Sequence, residues 1–331
     1  MGLAIYGASN ITVDNLLIQE TGGDGIYVGN IEGGVIRNVV TDGAYRNGMS
    51  IIRAIDLLVE DCQFLNTGNT GRYNGGQKLT PANGGTAPRA GVDLEPNWPT
   101  DVLLNVTLRN CSAVGNVDDA FDISGDTPHS ITLDGCVAAN CSGDWGSAFK
   151  LDSFTSRGNI TLRGCSATNM PGSALGLRRA QPSSRHSGNV SAAARRSLVV
   201  EDFEATAVAT DWRTTYKGRT LQGFSLFPVT VISDNSDGPI PRAPNDMTIE
   251  LKNVTVRRSN LGQAAGRPVI GCQSVDRRSQ RPPPPAPCVP DELWPLSGSV
   301  VVMASNRSAC DTAALGRAAA NLKVECKGGL P

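Results

Sequence analysis

Short apolar segments recur along the chain with one design. "GLAIY" (2–6), "GIYVG" (25–29), "GMSII" (48–52), "GVDLE" (91–95), "AFDIS" (120–124), "AFKLD" (148–152), "ALGLR" (174–178) and "GFSLF" (223–227) each open on Gly or Ala. Each also places apolar residues second and fourth, and such alternation predicts a β-strand with one buried face. The first three starts lie 23 residues apart and most later ones wider, as loops inserted at fixed points of a repeating unit would produce.

A second register runs behind the first. "ITVDNL", "VIRNV", "LLVEDC", "VTLRNC", "ITLDGC", "ITLRGC", "LVVEDF" and "IELKNV" are alternating runs that end in a turn-forming residue and then an apolar or thiol one. The turn column is Asn15, Asn38, Asp61, Asn110, Gly135, Gly164, Asp202 and Asn253. These three residue types tolerate a left-handed backbone, so the column predicts one sharp corner repeated eight times. The column after it, Leu16, Val39, Cys62, Cys111, Cys136, Cys165, Phe203 and Val254, predicts an internal stack. Each unit then holds three strands, and stacking the units buries a core that none could close alone.

Taken together, the two registers resemble the right-handed parallel β-helix of the pectin-lyase-like superfamily over about residues 2–260. The resemblance implies an all-β solenoid of about eight coils with three strands each. Residues 1–264 are read as the β-helix and 265–331 as a Pro- and Cys-containing C-terminal cap. In that cap "RPPPPAPCVP" reads as irregular and "CDTAALGRAAANLKVEC" as a short amphipathic helix, with Cys272, Cys288, Cys310 and Cys326 available for disulfides. The stacked Cys62, Cys111, Cys136 and Cys165 read as a buried thiol ladder, although rungs ~4.8 Å apart also permit pairwise disulfides. Entry into the first coil at Gly2 without a cap would expose a strand edge, so further coils upstream are expected.

Composition narrows the partners. A net charge of −1 gives no reason to expect nucleic acid, and no apolar run reaches the length of a membrane span. Eight Asn-x-Ser/Thr sequons, at Asn10, Asn105, Asn110, Asn140, Asn159, Asn189, Asn253 and Asn306, suit a secreted glycoprotein. Asn-Ile-Thr and Asn-Val-Thr also open strands here, so the fold itself can generate them. An extracellular or secretory-pathway location is expected, although the chain opens without the pattern of a signal peptide.

Period two sends positions three and five of each first strand outward. Charges gather there on four successive rungs: Asp93 and Glu95, Asp122, Lys150 and Asp152, then Arg178, with Tyr27 on a neutral flank. An insertion at 70–88 enters the rung of Asp93 and "PNWPTD" leaves it, which places Trp98, with Tyr73 or Trp145, to stack on sugar rings. Carboxylates below and aromatics at the rim suit an extended polysaccharide. Two chemistries fit. Hydrolysis pairs Asp93 with Asp122 at the retaining separation of about 5–5.5 Å, or Glu95 with Asp122 at the inverting separation of about 6.5–9.5 Å. Elimination or epimerisation of a uronic acid would instead hold Ca²⁺ on Asp93, Glu95 and Asp122, with Lys150 or Arg178 as base.

The catalytic set expected is therefore Asp93, Glu95, Asp122, Lys150 and Asp152, with Tyr27, Trp98 and Arg178 binding substrate and no cofactor beyond Ca²⁺ in the lyase case. His129 and His186 fall outside the strand motif and are not expected to act. The superfamily includes polygalacturonases, pectate lyases and alginate epimerases. "NVDDAFDIS" (116–124) resembles the paired aspartates of polygalacturonases through Asp118 and Asp119, and "GDGIYVG" (23–29) resembles epimerase coils. The Asn-Thr-Asp, Gly-His-Gly and Arg-Ile-Lys motifs of the hydrolases are absent, so Asp118 and Asp119 also read as turn residues. The basic stretch 178–196 would attract an acidic polysaccharide. The other reading is a non-catalytic glycan-binding or surface-adhesion β-helix.

Overall fold

The structure is a computed structural model that describes residues 1–68, 73–74, 77–78, 88–98, 100–124, 129–141, 147–152, 158–179, 196–208, 213–216, 219–222, 229–234, 247–257, 270–275, 296–303 and 320–327. Alternating segments of three to seven residues cannot close a core singly, and here they stack into three parallel ladders. The first aligns Leu3, Ile26, Met49, Val92, Phe121, Phe149, Leu175, Val229 and Ile270. The second aligns Val13, Ile36, Val59, Leu108, Leu133, Leu162, Val200 and Leu251. The third aligns Ile18, Thr41, Phe64, Ala113, Ala138, Ala167, Ala205 and Val256. The chain is an all-β parallel β-helix solenoid, and no helix occurs among the described residues.

Both sequence registers appear as anticipated. The second and fourth positions of the first strands are fully buried from Ile26 and Val28 through Leu175 and Leu177. Phe121 and Phe149 stack on neighbouring rungs at 5.0 Å, and Phe203 meets Phe149 edge-on at 5.5 Å. All eight corner residues have positive φ, from 50° at Asn110 and Asn253 to 66° at Gly135. The Gly/Ala start of each rung has a steric cause. A Cβ at Gly48 would lie 2.6 Å from Gly91 O and 2.9 Å from Phe64 Cβ, and one at Gly91 would lie 2.6 Å from Ala113 Cβ. The first ladder passes there against the third, and only the smallest residues fit.

Further corners were not anticipated, among them Asn10, Gly33, Asp56 and Asn105 before the second strands. Glu20, Gly43, Asn66, Gly115, Asn140, Asn169 and Ala207, after the third strand of each coil, also have positive φ. Five sequon asparagines, Asn10, Asn105, Asn110, Asn140 and Asn253, occupy such corners. Several of the corner amides donate to the rung before: Asn105 Nδ2 to Asp56 at 2.7 Å, Asn253 Nδ2 to Asp202 at 2.7 Å. The repeat explains asparagine at these positions without reference to sugar attachment.

The rung above Ser173–Arg179 is Val229–Asp234, with Leu175 paired to Val229, whereas "GFSLF" (223–227) lies outside the described residues. "VTVISD" alternates equally well, so the pattern alone could not choose between the two. Parallel pairing also runs past residue 264 through Ile270–Val275, Leu296–Met303 and Asn321–Lys327. Asn321–Cys326, expected at the end of a helix, is therefore strand, with Leu322 and Val324 packed against the core. Residues 304–319 are outside the description. Cys326 is disulfide-bonded.

The thiol ladder forms as expected: Cys62, Cys111, Cys136 and Cys165 are free and buried, as is Cys141. Each ladder sulfur donates to a carbonyl of the preceding coil, as Cys111 Sγ does to Val59 O at 3.5 Å. Hydrogen bonding to neighbouring thiols, then burial, pushes Cys62 and Cys136 up, while burial pushes Cys141 up to about 12. The opposite pull on Cys111 and Cys165 requires buried thiolates facing carbonyl oxygens, so all four stand as thiols.

Candidate functional site

The first ladder brings together acids far apart in sequence. Asp93 pairs directly with Asp122, and Asp122 with Lys150, so three successive rungs present them side by side. Glu95 and Ser124 occupy the neighbouring column, joined through the Ser124 N–H to Leu94 O bond. Asp152 shares the rung of Lys150 and pairs in register with Arg178 on the next, and the side chains of both lie outside the description.

These acids do not line an open trench. Asp93 is 0% exposed and Asp122 2% exposed, whereas Glu95 is partly exposed and the Lys150 side chain 19% exposed. Alternation fixes which side of the sheet a residue takes; it does not say what lies over that side. Here the loop residues Arg46 and Asn47, which precede the rung of Met49, lie against Asp93. Asn47 Nδ2 donates to Asp93 Oδ2 at 2.8 Å, and the Arg46 guanidinium stands 3.7 Å from the same oxygen while also pairing with Asp24 at 3.1 Å. Among the described residues Asp93 Oδ1 has no hydrogen-bond partner. Burial first, then the charges of Glu95 and Asp122, drives the Asp93 carboxyl well above the ordinary carboxylate range.

Asp122 stands in the opposite environment. Lys150 Nζ lies 2.6 Å from its Oδ2, and Ser124 Oγ donates to its Oδ1 at 2.6 Å. Lys150 also sits 3.6 Å from Asp119 Oδ2. Lys150 thus stands within reach of two acidic side chains. Two adjacent carboxyls thus differ: one favours its proton, the other has a cation bound to it.

Asp118 and Asp119 act as structural groups. Asp119 is buried and its Oδ1 accepts the Ser147 N–H at 2.6 Å. The same device recurs in the loop before the first strand: Asp24 Oδ1 accepts Asn47 N–H, and Asn47 Oδ1 accepts Ala90 N–H at 2.9 Å. Burial drives Asp119 up as well, with Lys150 opposing it. Asp118 pairs with Arg89 at 3.6 Å.

Trp98 is 60% exposed, in a turn where Asp101 Oδ2 accepts the Asn97 and Trp98 N–H groups. Tyr27 is half-buried, and Tyr6 on the rung before it is 73% exposed. Tyr73 is in the strand Tyr73–Asn74, its side chain outside the description, and Trp145 and His186 are outside it altogether. His129 opens the strand His129–Asp134 and is buried.

Among the described residues no three His, Cys, Asp or Glu side chains converge on a metal position. The oxygens of Asp93 and Asp122 face Asn47, Arg46, Lys150 and Ser124, an arrangement that does not fit a Ca²⁺ cage, which needs several free oxygens.

Arg46 and Asn47 carry no motif, and Asp24 entered the sequence reading only within "GDGIYVG". Their one signal is position: each lies in the loop before a repeat start.

The uncharacterized protein YclG of Bacillus subtilis (strain 168) is similar to this chain, 31% identical over 134 residues. The match takes in 36% of this chain and only 21% of that relative's length. No family profile matches the chain, and no solved structure matches it.

Proposed function

We propose that this parallel β-helix is a carbohydrate-active protein of the pectin-lyase-like kind that cleaves a polysaccharide with its stacked carboxyls. The observation that supports this is the contrast between Asp93 and Asp122 on adjacent rungs. Glycoside hydrolysis uses two carboxyl groups in different roles, one of which arrives protonated, and burial of Asp93 favours that proton. Asp93 is the acid and Asp122, ion-paired with Lys150, the carboxylate. Adjacent rungs suit retention, in which the carboxyls stand about 5–5.5 Å apart. Glu95 and Lys150 are what a polymer meets first, with Trp98 and Tyr27 on the flank, and it reaches Asp93 and Asp122 only when their cover opens. Asp152, Arg178 and the basic stretch 178–196 would add contacts for an acidic chain.

Elimination or epimerisation is the variant for a uronic acid, in which Lys150 or Arg178 would act as the base that takes the C5 proton. A polysaccharide substrate places the protein outside the cytoplasm, and the disulfide at Cys326 accords with an oxidising compartment. The test is incubation with neutral and uronic-acid polysaccharides, scored for new reducing ends and for the absorbance of unsaturated products. Reducing ends alone mark hydrolysis; both together mark elimination.

A second reading rests on burial. Asp93 and Asp122 are covered while Trp98 and Tyr6 are open, which favours a surface that binds glycan without cleaving it. Retention on a polysaccharide column without product is its outcome.

A further inference from the structure

Asn47 belongs to no motif, is wholly buried, and makes contacts that leave it only one orientation. Its Oδ1 accepts the Ala90 N–H at 2.9 Å, so its Nδ2 must face the other way. That amide nitrogen donates to Ser50 Oγ at 3.0 Å and to Asp93 Oδ2 at 2.8 Å. Its own N–H is held by Asp24 Oδ1 at 3.2 Å. Reversing the amide would set its oxygen against Asp93 Oδ2 and its nitrogen against an N–H, which no arrangement of protons relieves.

The other group near Asp93 Oδ2, the Arg46 guanidinium, is also only a donor. Both known donors therefore lie on one oxygen of this buried carboxyl, and the second, Oδ1, has no partner among the described residues. A proton on Oδ2 would point at N–H donors, whereas one on Oδ1 meets none. We infer that Asn47 is the positioning residue of the site: it fixes Oδ2 of Asp93 as the acceptor and leaves Oδ1 as the oxygen that carries and delivers the proton. This rests on the acid role proposed for Asp93 and names the residue and the oxygen that make it possible.

The charged groups facing Asp93 are Glu95 on its own strand, Asp122 and Lys150 on the following rungs, and Arg46, with Asp24 behind it, from the loops. Asn47→Asp separates positioning from scaffolding. It keeps an oxygen for the Ala90 N–H, so the loop retains its anchor, but it replaces the donor facing Asp93 by a second acid. Asn47→Ala removes both.

The experiment follows the ¹³Cγ signal of Asp93 against pH in selectively labelled protein, assigned by its loss in Asp93→Asn. In the unsubstituted protein Asp93 is expected to titrate above the ordinary carboxylate range. In Asn47→Asp its midpoint rises further, by one pH unit or more, and the curve becomes that of two coupled acids. An ordinary midpoint in the unsubstituted protein overturns the inference, whether or not any variant folds, and so does an Asn47→Asp midpoint that does not move. The titration needs no substrate. A chain that cleaves nothing yet titrates this way sinks the enzymatic reading alone, and a chain that cleaves polysaccharide with an ordinary Asp93 sinks only this one.

Discussion

At the scale of single residues, Asp93 decides how the site behaves. Between the ordinary carboxylate value and its raised one, the folded chain holds a proton that the unfolded chain has lost. Stability contributed by Asp93 is thus complete at low pH and is lost as pH climbs through that window. Asp93→Asn removes the penalty while keeping an oxygen for Asn47. Thermal melts should show this variant gaining on the parent as pH rises above the carboxylate range and nearly matching it below; an unchanged difference across pH would contradict the assignment. Asp122→Asn should behave differently. It keeps the shape but leaves Lys150 with a weaker partner, at a cost of about 1–3 kcal/mol, and should abolish any polysaccharide cleavage. The stacking of these acids was legible from the period-two pattern. The burial of Asp93 was not, because the side chains over it come from a loop whose sequence, "GAYRNG", follows no period.

At the scale of the element, corners and rungs carry separate signals. Asn110 turns its corner at φ 50°, where a Cβ without a polar side chain costs about 1–2 kcal/mol. Asn110→Ala should therefore lose about that much by chemical denaturation, and Asn110→Gly distinctly less. The corner after the second strand was readable because Asn, Asp and Gly fill it in all eight coils. The corner after the third strand was not, because Glu20 and Ala207 break its composition at the two ends. Within the rungs, Phe149 lies between Phe121 and Phe203, and truncation to Ala should cost about 3–5 kcal/mol through the void it leaves. A loss under 1 kcal/mol would mean that the three rings are not packed together.

For the whole molecule, the repeat makes one continuous core from Ile18 to Val302, and the thiols report on its integrity. Cys62, Cys111, Cys136, Cys141 and Cys165 should resist alkylation in the folded protein, and all five should react once denaturant opens the coils, as counted by mass spectrometry. Labelling of one ladder cysteine under native conditions would show local opening there. The run of coils was legible up to the rung of Ala174, because each start there kept its Gly or Ala and its alternation even across the insertion before Gly91. Beyond it the spacing widens, several runs alternate equally well, and the strands Leu296–Met303 and Asn321–Lys327 were hidden among Pro, Cys and Ala.

All of this rests on "GVDLE", "AFDIS" and "AFKLD" lying in consecutive layers, one residue directly over the next. Oxidative cross-linking of cysteine pairs measures that layering. Neighbouring strands stand ~4.8 Å apart and a disulfide tolerates about 7 Å between Cα atoms, so one rung can be bridged and two cannot. Asp93→Cys with Asp122→Cys should form an intramolecular disulfide readily, and Asp93→Cys with Lys150→Cys should not. Cross-linking of the second pair in preference to the first would contradict the register, and with it the site.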